Sequence, residues 1–261
     1  LSGVDTPVNL TIPDASKISW LSCGGLSIDQ STFVSAASSP LKLIDAVQAS
    51  NELTIEAWVT PENTTQSGPA RIVTYSIDGS NRNFTLGQDA SNYDVRFRTG
   101  ETNDNGMSPN LEATGQDVAM ALSHVVYTRN QAGEAKLYVD GVLVQTTQIE
   151  GVINNWDNSY VFGLGNEVNT NREWLGEYHL VAIFSRALSS AEVTHQFSVG
   201  VAGTCSANNA APVINSTPVT SGSEGNPYSY QMMASDVDGD ALTYTRVTGP
   251  TELTIDSNTG L

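Results

Sequence analysis

Basic residues are scarce in this chain: 11 Lys and Arg stand against 28 Asp and Glu, a formal charge of −17 over 261 residues. A phosphate backbone or an anionic bilayer would be repelled by most of such a surface, so nucleic acid and membrane insertion are excluded as expected partners. Acidic residues spread without acidic runs suit a secreted protein whose counter-ions screen the self-repulsion. No apolar run reaches the roughly 18 residues of a membrane helix, and the start lacks the basic-then-apolar order of a signal peptide. Leu1 is therefore expected to follow a processed or truncated segment. Cysteine is scarce too. Cys23 and Cys205 have no CxxC partner, which excludes a cysteine metal motif. A disulfide between them would close a loop of about 180 residues, worth up to roughly 5 kcal/mol, and would imply an oxidising compartment. Two unrelated buried thiols are the other reading.

What is abundant is strand pattern. ELTIEAWV, ARIVTYSI, NFTLGQD, YDVRFRT, LSHVVYTRN, AKLYVDG, VLVQTTQI, YVFGLGN and EYHLVAIFS follow one another, bounded by Asn, Gly, Asp or Ser. Nine such runs with short connections predict an all-β antiparallel sandwich. In KLYVDGVLV, Asp140-Gly141 between alternating runs predicts a two-residue hairpin. One helix is expected, at SSAEVTHQF, where Ser189 and Glu192 have capping-box spacing. From Ser206 the composition turns to Asn, Ser, Pro and Gly. The expected organisation is a large domain over 1–205, a linker over 206–211 and a second β-domain over 212–261, with strands at PYSYQMMAS, ALTYTRVTG and ELTIDS. That second region holds about half of the roughly 100 residues of an immunoglobulin-type sandwich. The chain is expected to stop inside a domain, which a downstream repeat or a neighbouring chain's strand would complete.

Three carboxylates crowd one short loop: Asp236, Asp238 and Asp240 in SDVDGDALTY. They repel by about 1 kcal/mol per pair even in water, so a cation is expected among them, calcium by the oxygen chemistry. A solvated Asp/Gly turn is the alternative. An EF-hand is excluded by spacing, since positions 6 and 12 counted from Asp236 are Ala241 and Val247. Catalysis is not expected. No ExDxxE string occurs, Glu56/Glu62 and Glu173/Glu177 do not match a paired-carboxylate spacing, and His124, His179 and His195 share no nucleophile motif. For sugar binding, an aromatic platform and fixed polar groups are required. Trp20 and Trp58 read as core, leaving Trp156 and Trp174 as surface candidates. Arg82, Gln88, Arg96 and Arg98 cluster in RNFTLGQDASNYDVRFRTG, and Arg96 and Arg98, two apart on a strand, could hold a carboxylate or sulfate. Pairing with Asp89, Asp94 and Glu101 is the competing reading.

LTIEAWVTP, KLYVDGVLV and LGEYHLVAIFSRALSSAEV, in that order, resemble the laminin G-like, concanavalin A-like jelly-roll domains of secreted and surface proteins. The resemblance covers roughly residues 1 to 203 and implies two stacked sheets, one concave, and binding of glycans or proteins without catalysis. In LGEYHLV the chain departs from many relatives, with His179 near a usual acidic position and Glu177 earlier. The stretch APVINSTPVTSGSEGNPYSYQMMASDVDGDALTY resembles the cadherin-like or immunoglobulin-like repeats of large bacterial exported proteins. That resemblance implies calcium held by Glu224, Asp236, Asp238 and an Asn of the linker, Asn208 or Asn209. The expected protein is thus a secreted or cell-surface adhesion module for a polysaccharide or surface glycoprotein. The alternative is a calcium-rigidified building block of a stalk or filament with no ligand of its own.

Overall fold

The computed structural model describes residues 8–22, 24–113, 117–201, 212–225, 227–236 and 242–261. The chain divides into two compact units, Leu1–Thr204 and Cys205–Leu261. Cys23, Cys205 and the expected linker at 206–211 lie outside the described residues.

The first unit contains β1 (Leu10–Thr11), β2 (Ile18–Trp20), β3 (Leu26–Ile28), β4 (Val34–Ala36), α1 (Leu41–Ser50), β5 (Leu53–Pro61), β6 (Ala70–Ser76), β7 (Arg82–Asp89) and β8 (Asn92–Phe97). It continues with β9 (Leu111–Glu112), β10 (Ser123–Arg129), β11 (Glu134–Val139), β12 (Val142–Gln148), β13 (Val161–Leu164), β14 (Gly176–Phe184) and α2 (Ser190–Val199). The nine runs picked out by alternation are β5, β6, β7, β8, β10, β11, β12, β13 and β14. With β1, β2, β3, β4 and β9 they form two seven-stranded sheets, β1-β4-β13-β6-β7-β8-β9 and β12-β11-β10-β5-β14-β3-β2. The described pairings are antiparallel, as between β5 and its neighbours β10 and β14.

Period-two alternation places Leu53, Ile55, Ala57 and Val59 of β5, Val73 and Tyr75 of β6, Tyr93, Val95 and Phe97 of β8, and Val125 and Tyr127 of β10 in one buried cluster between the sheets. Each buried Val, Leu, Ile or Phe among them contributes about 1.5–3 kcal/mol. At the β11–β12 turn Asp140 and Gly141 both have positive φ, 51° and 75°, and Val139 pairs with Val142. This is the two-residue turn whose twist suits a hairpin.

The capping box of α2 is formed: Glu192 N–H donates to Ser189 Oγ at 3.3 Å, and Ser189 N–H donates to Glu192 Oε2 at 2.8 Å. A second helix, α1, was not expected. Leu43, Ile44 and Val47 are its buried face, and Asn51 in the left-handed region ends it by donating its N–H to Val47 O.

In the second unit the described strands are β15 (Val213–Ile214) and β16 (Ala234–Ser235), an antiparallel pair. The extended strands expected at PYSYQMMAS, ALTYTRVTG and ELTIDS are therefore corrected: only the last two residues of the first, Ala234 and Ser235, are strand among the described residues. Burial within the unit offers these segments little reward, Val247 for example remaining 90% exposed.

Candidate functional site

The outer face of the first sheet is polar, yet it is buried. On β6 a bulge between Arg71 and Val73 turns Arg71, Thr74 and Ser76 away from the core that Val73 and Tyr75 enter. The connection from β13 to β14 supplies Glu167 above them. Glu167 Oε2 accepts from Arg71 Nε at 3.1 Å, and its Oε1 accepts from Ser76 Oγ at 2.6 Å. Ser76 Oγ and Thr85 Oγ1 each lie 2.8 Å from Thr74 Oγ1, and Arg82 Nη1 donates to Thr85 Oγ1 at 3.3 Å. Arg82 Nη2 donates to the Gly79 carbonyl in the β6–β7 turn. Beside this chain, Asp94 accepts from Arg96 Nε at 2.9 Å and from Asn110 Nδ2 at 2.7 Å. Burial pushes the Arg71 guanidinium down against the opposing pull of Glu167. Burial, then Arg71 and Arg96, pushes Arg82 down to about 9, so it is still a cation at neutral pH.

Next to this face is an open polar cleft of about 370 Å³. The β5–β6 connection contributes Asn63, Thr65, Gln66 and Ser67, and the β13–β14 connection contributes Asn171, Arg172 and Glu173. Gln66 ties the two connections together, donating to Leu175 O at 2.9 Å and accepting from Leu175 N–H. Arg172 is anchored by its backbone: its N–H donates to Asn166 Oδ1 at 3.0 Å and its carbonyl accepts from Arg71 N–H at 2.9 Å. Its side chain runs over Gly68, where an added Cβ would fall 2.6 Å from Arg172 Cδ. Amides, hydroxyls, one guanidinium and one carboxylate on two cross-linked loops can exchange hydrogen bonds with a polyhydroxylated ligand.

The residues expected to bind a ligand are dispersed. Arg82 and Arg96 belong to the buried face just described. Gln88 is consumed internally, donating to Asn63 O at 2.8 Å and accepting from Trp174 Nε1 at 2.9 Å. Arg98 lies past the end of β8, with Nη2 3.0 Å from Asp104 Oδ1 and its guanidinium 5.9 Å from the Tyr160 ring centre. Arg96 and Arg98 thus each have a separate acid, Asp94 and Asp104.

The tryptophan assignment is corrected. Trp174 is fully buried. Trp156 sits in the core against Tyr75, Phe84 and Phe97, its Nε1 donating to Arg98 O at 2.9 Å, so neither ring can serve as a platform. Trp20, expected in the core, is 71% exposed on the edge strand β2.

The outer face of the second sheet is built differently. Trp58 stacks on His124 at 4.4 Å and on Phe197 of α2 at 6.0 Å, and His124 Nε2 lies 2.8 Å from Glu56 Oε1. Val126, Tyr138, Leu188 and Val193 form a second apolar cluster where α2 packs. On β14, His179 falls at a bulge, 3.4 Å from Glu177 Oε2.

Of the expected calcium ligands, Asn208, Asp238 and Asp240 lie outside the described residues, as does Asn209. Glu224 is exposed in a turn and Asp236 directly follows β16. Among the described residues no group of three or more His, Cys, Asp or Glu side chains is placed to hold a metal, and no helix is long and apolar enough to cross a membrane.

Two stacked antiparallel sheets with this strand order define a lectin-type sandwich. Residues 35–194 match the family model of the concanavalin A-like lectin/glucanases superfamily, and the chain belongs to that family. Residues 211–261 match the model of an Ig domain. Among solved structures the chain is similar to the receptor binding domain of botulinum neurotoxin C/D mosaic serotype, at 16% identity and TM-score 0.52, covering 74% of this chain and 46% of that one. It is also similar to the CBM40 of Ruminococcus gnavus IT-sialidase bound to α2,3-sialyllactose, at 16% identity and TM-score 0.51, covering 66% and 95%. The binding domain of Paraclostridial Mosquitocidal Protein 1 matches at 16% identity and TM-score 0.52, over 74% and 47%. The chain spans about half the length of the toxin domains it matches. At these identities the likeness is one of fold. No match is found among curated protein sequences.

Proposed function

We propose that this chain is a non-catalytic recognition module of a secreted or cell-surface protein, and that it binds an acidic polysaccharide. The observation that carries the reading is the polar cleft of Asn63, Thr65, Gln66, Ser67, Asn171 and Arg172, whose side chains suit equatorial hydroxyls and whose loops are held by the Gln66–Leu175 pair. The sialidase module of similar fold, which has α2,3-sialyllactose bound, supports a saccharide as the ligand class. The test is native affinity electrophoresis in gels containing polysaccharides, parent against a Thr65→Ala, Asn171→Ala variant. Retardation of the parent that falls about tenfold in apparent affinity in the variant supports the reading. Free migration of the parent on every neutral and acidic polysaccharide overturns it, and the stalk or filament building block then stands.

Calcium belongs to the same proposal, in the second unit. Asp236, Asp238 and Asp240 with Glu224 and Asn208 offer the hard oxygen donors this cation takes, and Gly239 allows the loop to bend. Calorimetric titration of calcium into chelator-treated protein is expected to show one stoichiometric site, absent from an Asp236→Ala, Asp238→Ala variant. Absence of binding in the parent would return the loop to a solvated turn.

A further inference from the structure

Arg172 is remote in sequence from Arg71 and Arg82 but shares one set of contacts with them. The Arg172 carbonyl accepts the Arg71 N–H, and the Arg172 side chain covers Gly68 and Gly79. A Cβ on Gly79 would fall 3.5 Å from Arg172 Nη2, while the Gly79 carbonyl accepts from Arg82 Nη2. Arg172 is therefore the common member: it lines the polar cleft, bonds to the strand that carries Arg71 and lies against the β6–β7 turn that receives Arg82.

The local charge is out of balance. Arg71, Arg82, Arg96 and Arg172 face two buried carboxylates, Glu167 and Asp94, with Glu173 exposed at the rim of the cleft, in a chain whose net charge is −17. Asp78 also feels Arg82, but its carboxylate is already taken by the N–H groups of Ser80 and Asn81. Among the described residues Arg71 Nη2, Arg82 Nε and Arg172 Nε are buried with no hydrogen-bond partner. A guanidinium has five N–H groups to place, and leaving one buried and unpartnered costs more than an ordinary hydrogen bond contributes. The cations also repel one another, Arg71 being pushed down by Arg96 and Arg172 after burial itself. Planar N–H forks with spare donors are the arrangement that receives an oxyanion.

We propose that Arg71, Arg82 and Arg172 form a receptor for a single oxyanion group, the carboxylate or sulfate of an acidic sugar, reached through the cleft that Arg172 lines. This rests on the polysaccharide reading for the identity of the ligand but not for the existence of the anion site. Asn63, Thr65, Gln66 and Asn171 then hold the hydroxyls of the ring that bears the acid group.

Two measurements separate the claims. In the first, sodium sulfate replaces sodium chloride at constant ionic strength and the thermal midpoint is followed for the parent, Arg172→Gln and Arg186→Gln. Arg186 is an exposed arginine paired with Glu192 on α2, so its loss makes the same charge change elsewhere. A saturable sulfate-dependent rise in the parent and in Arg186→Gln, with apparent affinity about tenfold weaker in Arg172→Gln, is the expected result. No rise in the parent, or an equal rise in all three proteins, overturns the site. In the second, retardation is compared in gels of polygalacturonate and of its methyl ester. Preference for the acid form that Arg172→Gln abolishes supports the proposal. Equal retardation by acid and ester overturns it while leaving polysaccharide binding intact. Sulfate binding without retardation by any polysaccharide keeps the anion site and overturns the polysaccharide reading.

Discussion

The two sheets of the first unit cover their outer faces by opposite means. The first sheet turns Arg71, Thr74, Ser76, Arg82 and Thr85 outward and buries them under loops through a continuous chain of hydrogen bonds, with Asp94 buried beside it. The second turns Trp58, Val126 and Tyr138 outward and buries them under α2. An apolar face needs only a matching apolar cover, and a helix with Val193 and Phe197 on its inner side provides one. A buried polar face needs a partner for every donor and acceptor, because an unpaired charge away from water is far costlier than an unfilled apolar contact. The first face is therefore the more sensitive to a single deletion, and among the described residues it already carries two unpartnered arginine donors, Arg71 Nη2 and Arg82 Nε.

The largest effect is expected from Glu167→Ala. It leaves Arg71 buried beside Arg82 with no carboxylate and removes the acceptor of Ser76, so a loss of about 3–5 kcal/mol is expected in denaturant unfolding. Replacing both partners, Arg71→Met with Glu167→Leu, is expected to recover most of that loss, since an apolar pair carries no desolvation cost. If the double variant is as unstable as the single one, the cost lies in loop packing and the contrast between the faces fails.

Leu188→Ala tests the other face. It removes a buried side chain from the small cluster between α2 and the second sheet. A loss of about 2–3 kcal/mol is expected, at the lower end for Leu→Ala, because the cluster lies close to the surface and can relax. A loss above that of Glu167→Ala, under the same denaturant, would reverse the ranking of the two faces.

These faces were unequally legible in the sequence. Alternation located the strands, and Asp140-Gly141 and the Ser189/Glu192 pair located a turn and a helix start, because each is a local signal whose partner is within a few residues. The helix α1 was missed although Leu43, Ile44 and Val47 have helical spacing and Asn51 supplies its stop; Pro40 gives it no side-chain cap to mark the start. Tryptophan exposure was inverted. Trp156 and Trp174 stand among Asn, Asp and Glu, yet their indoles point into the sandwich, whereas Trp20 lies beside Leu21 on an uncovered edge. Arg82 and Arg96 were picked out by local arginine density. Arg71 and Glu167 were not, since 96 residues separate them and only the folded β13–β14 connection brings the carboxylate over β6.

The smallest expected effect concerns the turn that roofs the polar face. Asp78 accepts from Ser80 N–H at 2.7 Å and from Asn81 N–H at 2.8 Å, which sets the turn whose Gly79 carbonyl receives Arg82. The Ser80 backbone bond foremost, then Asn81 and Arg82, holds its carboxyl below the ordinary 3.8. A depressed carboxylate contributes stability that is present above its unfolded value and lost as pH falls through its folded value. Asp78→Asn keeps an acceptor oxygen but cannot titrate. Its thermal midpoint is expected to fall below the parent's by the equivalent of less than about 1 kcal/mol at neutral pH, the group being largely solvated. That gap is expected to close as the pH is lowered from about 4 towards 2. A gap that persists unchanged at the acid end would mean that the carboxylate's charge adds nothing to the turn, and that the roof over the arginines is held by the acceptor geometry alone.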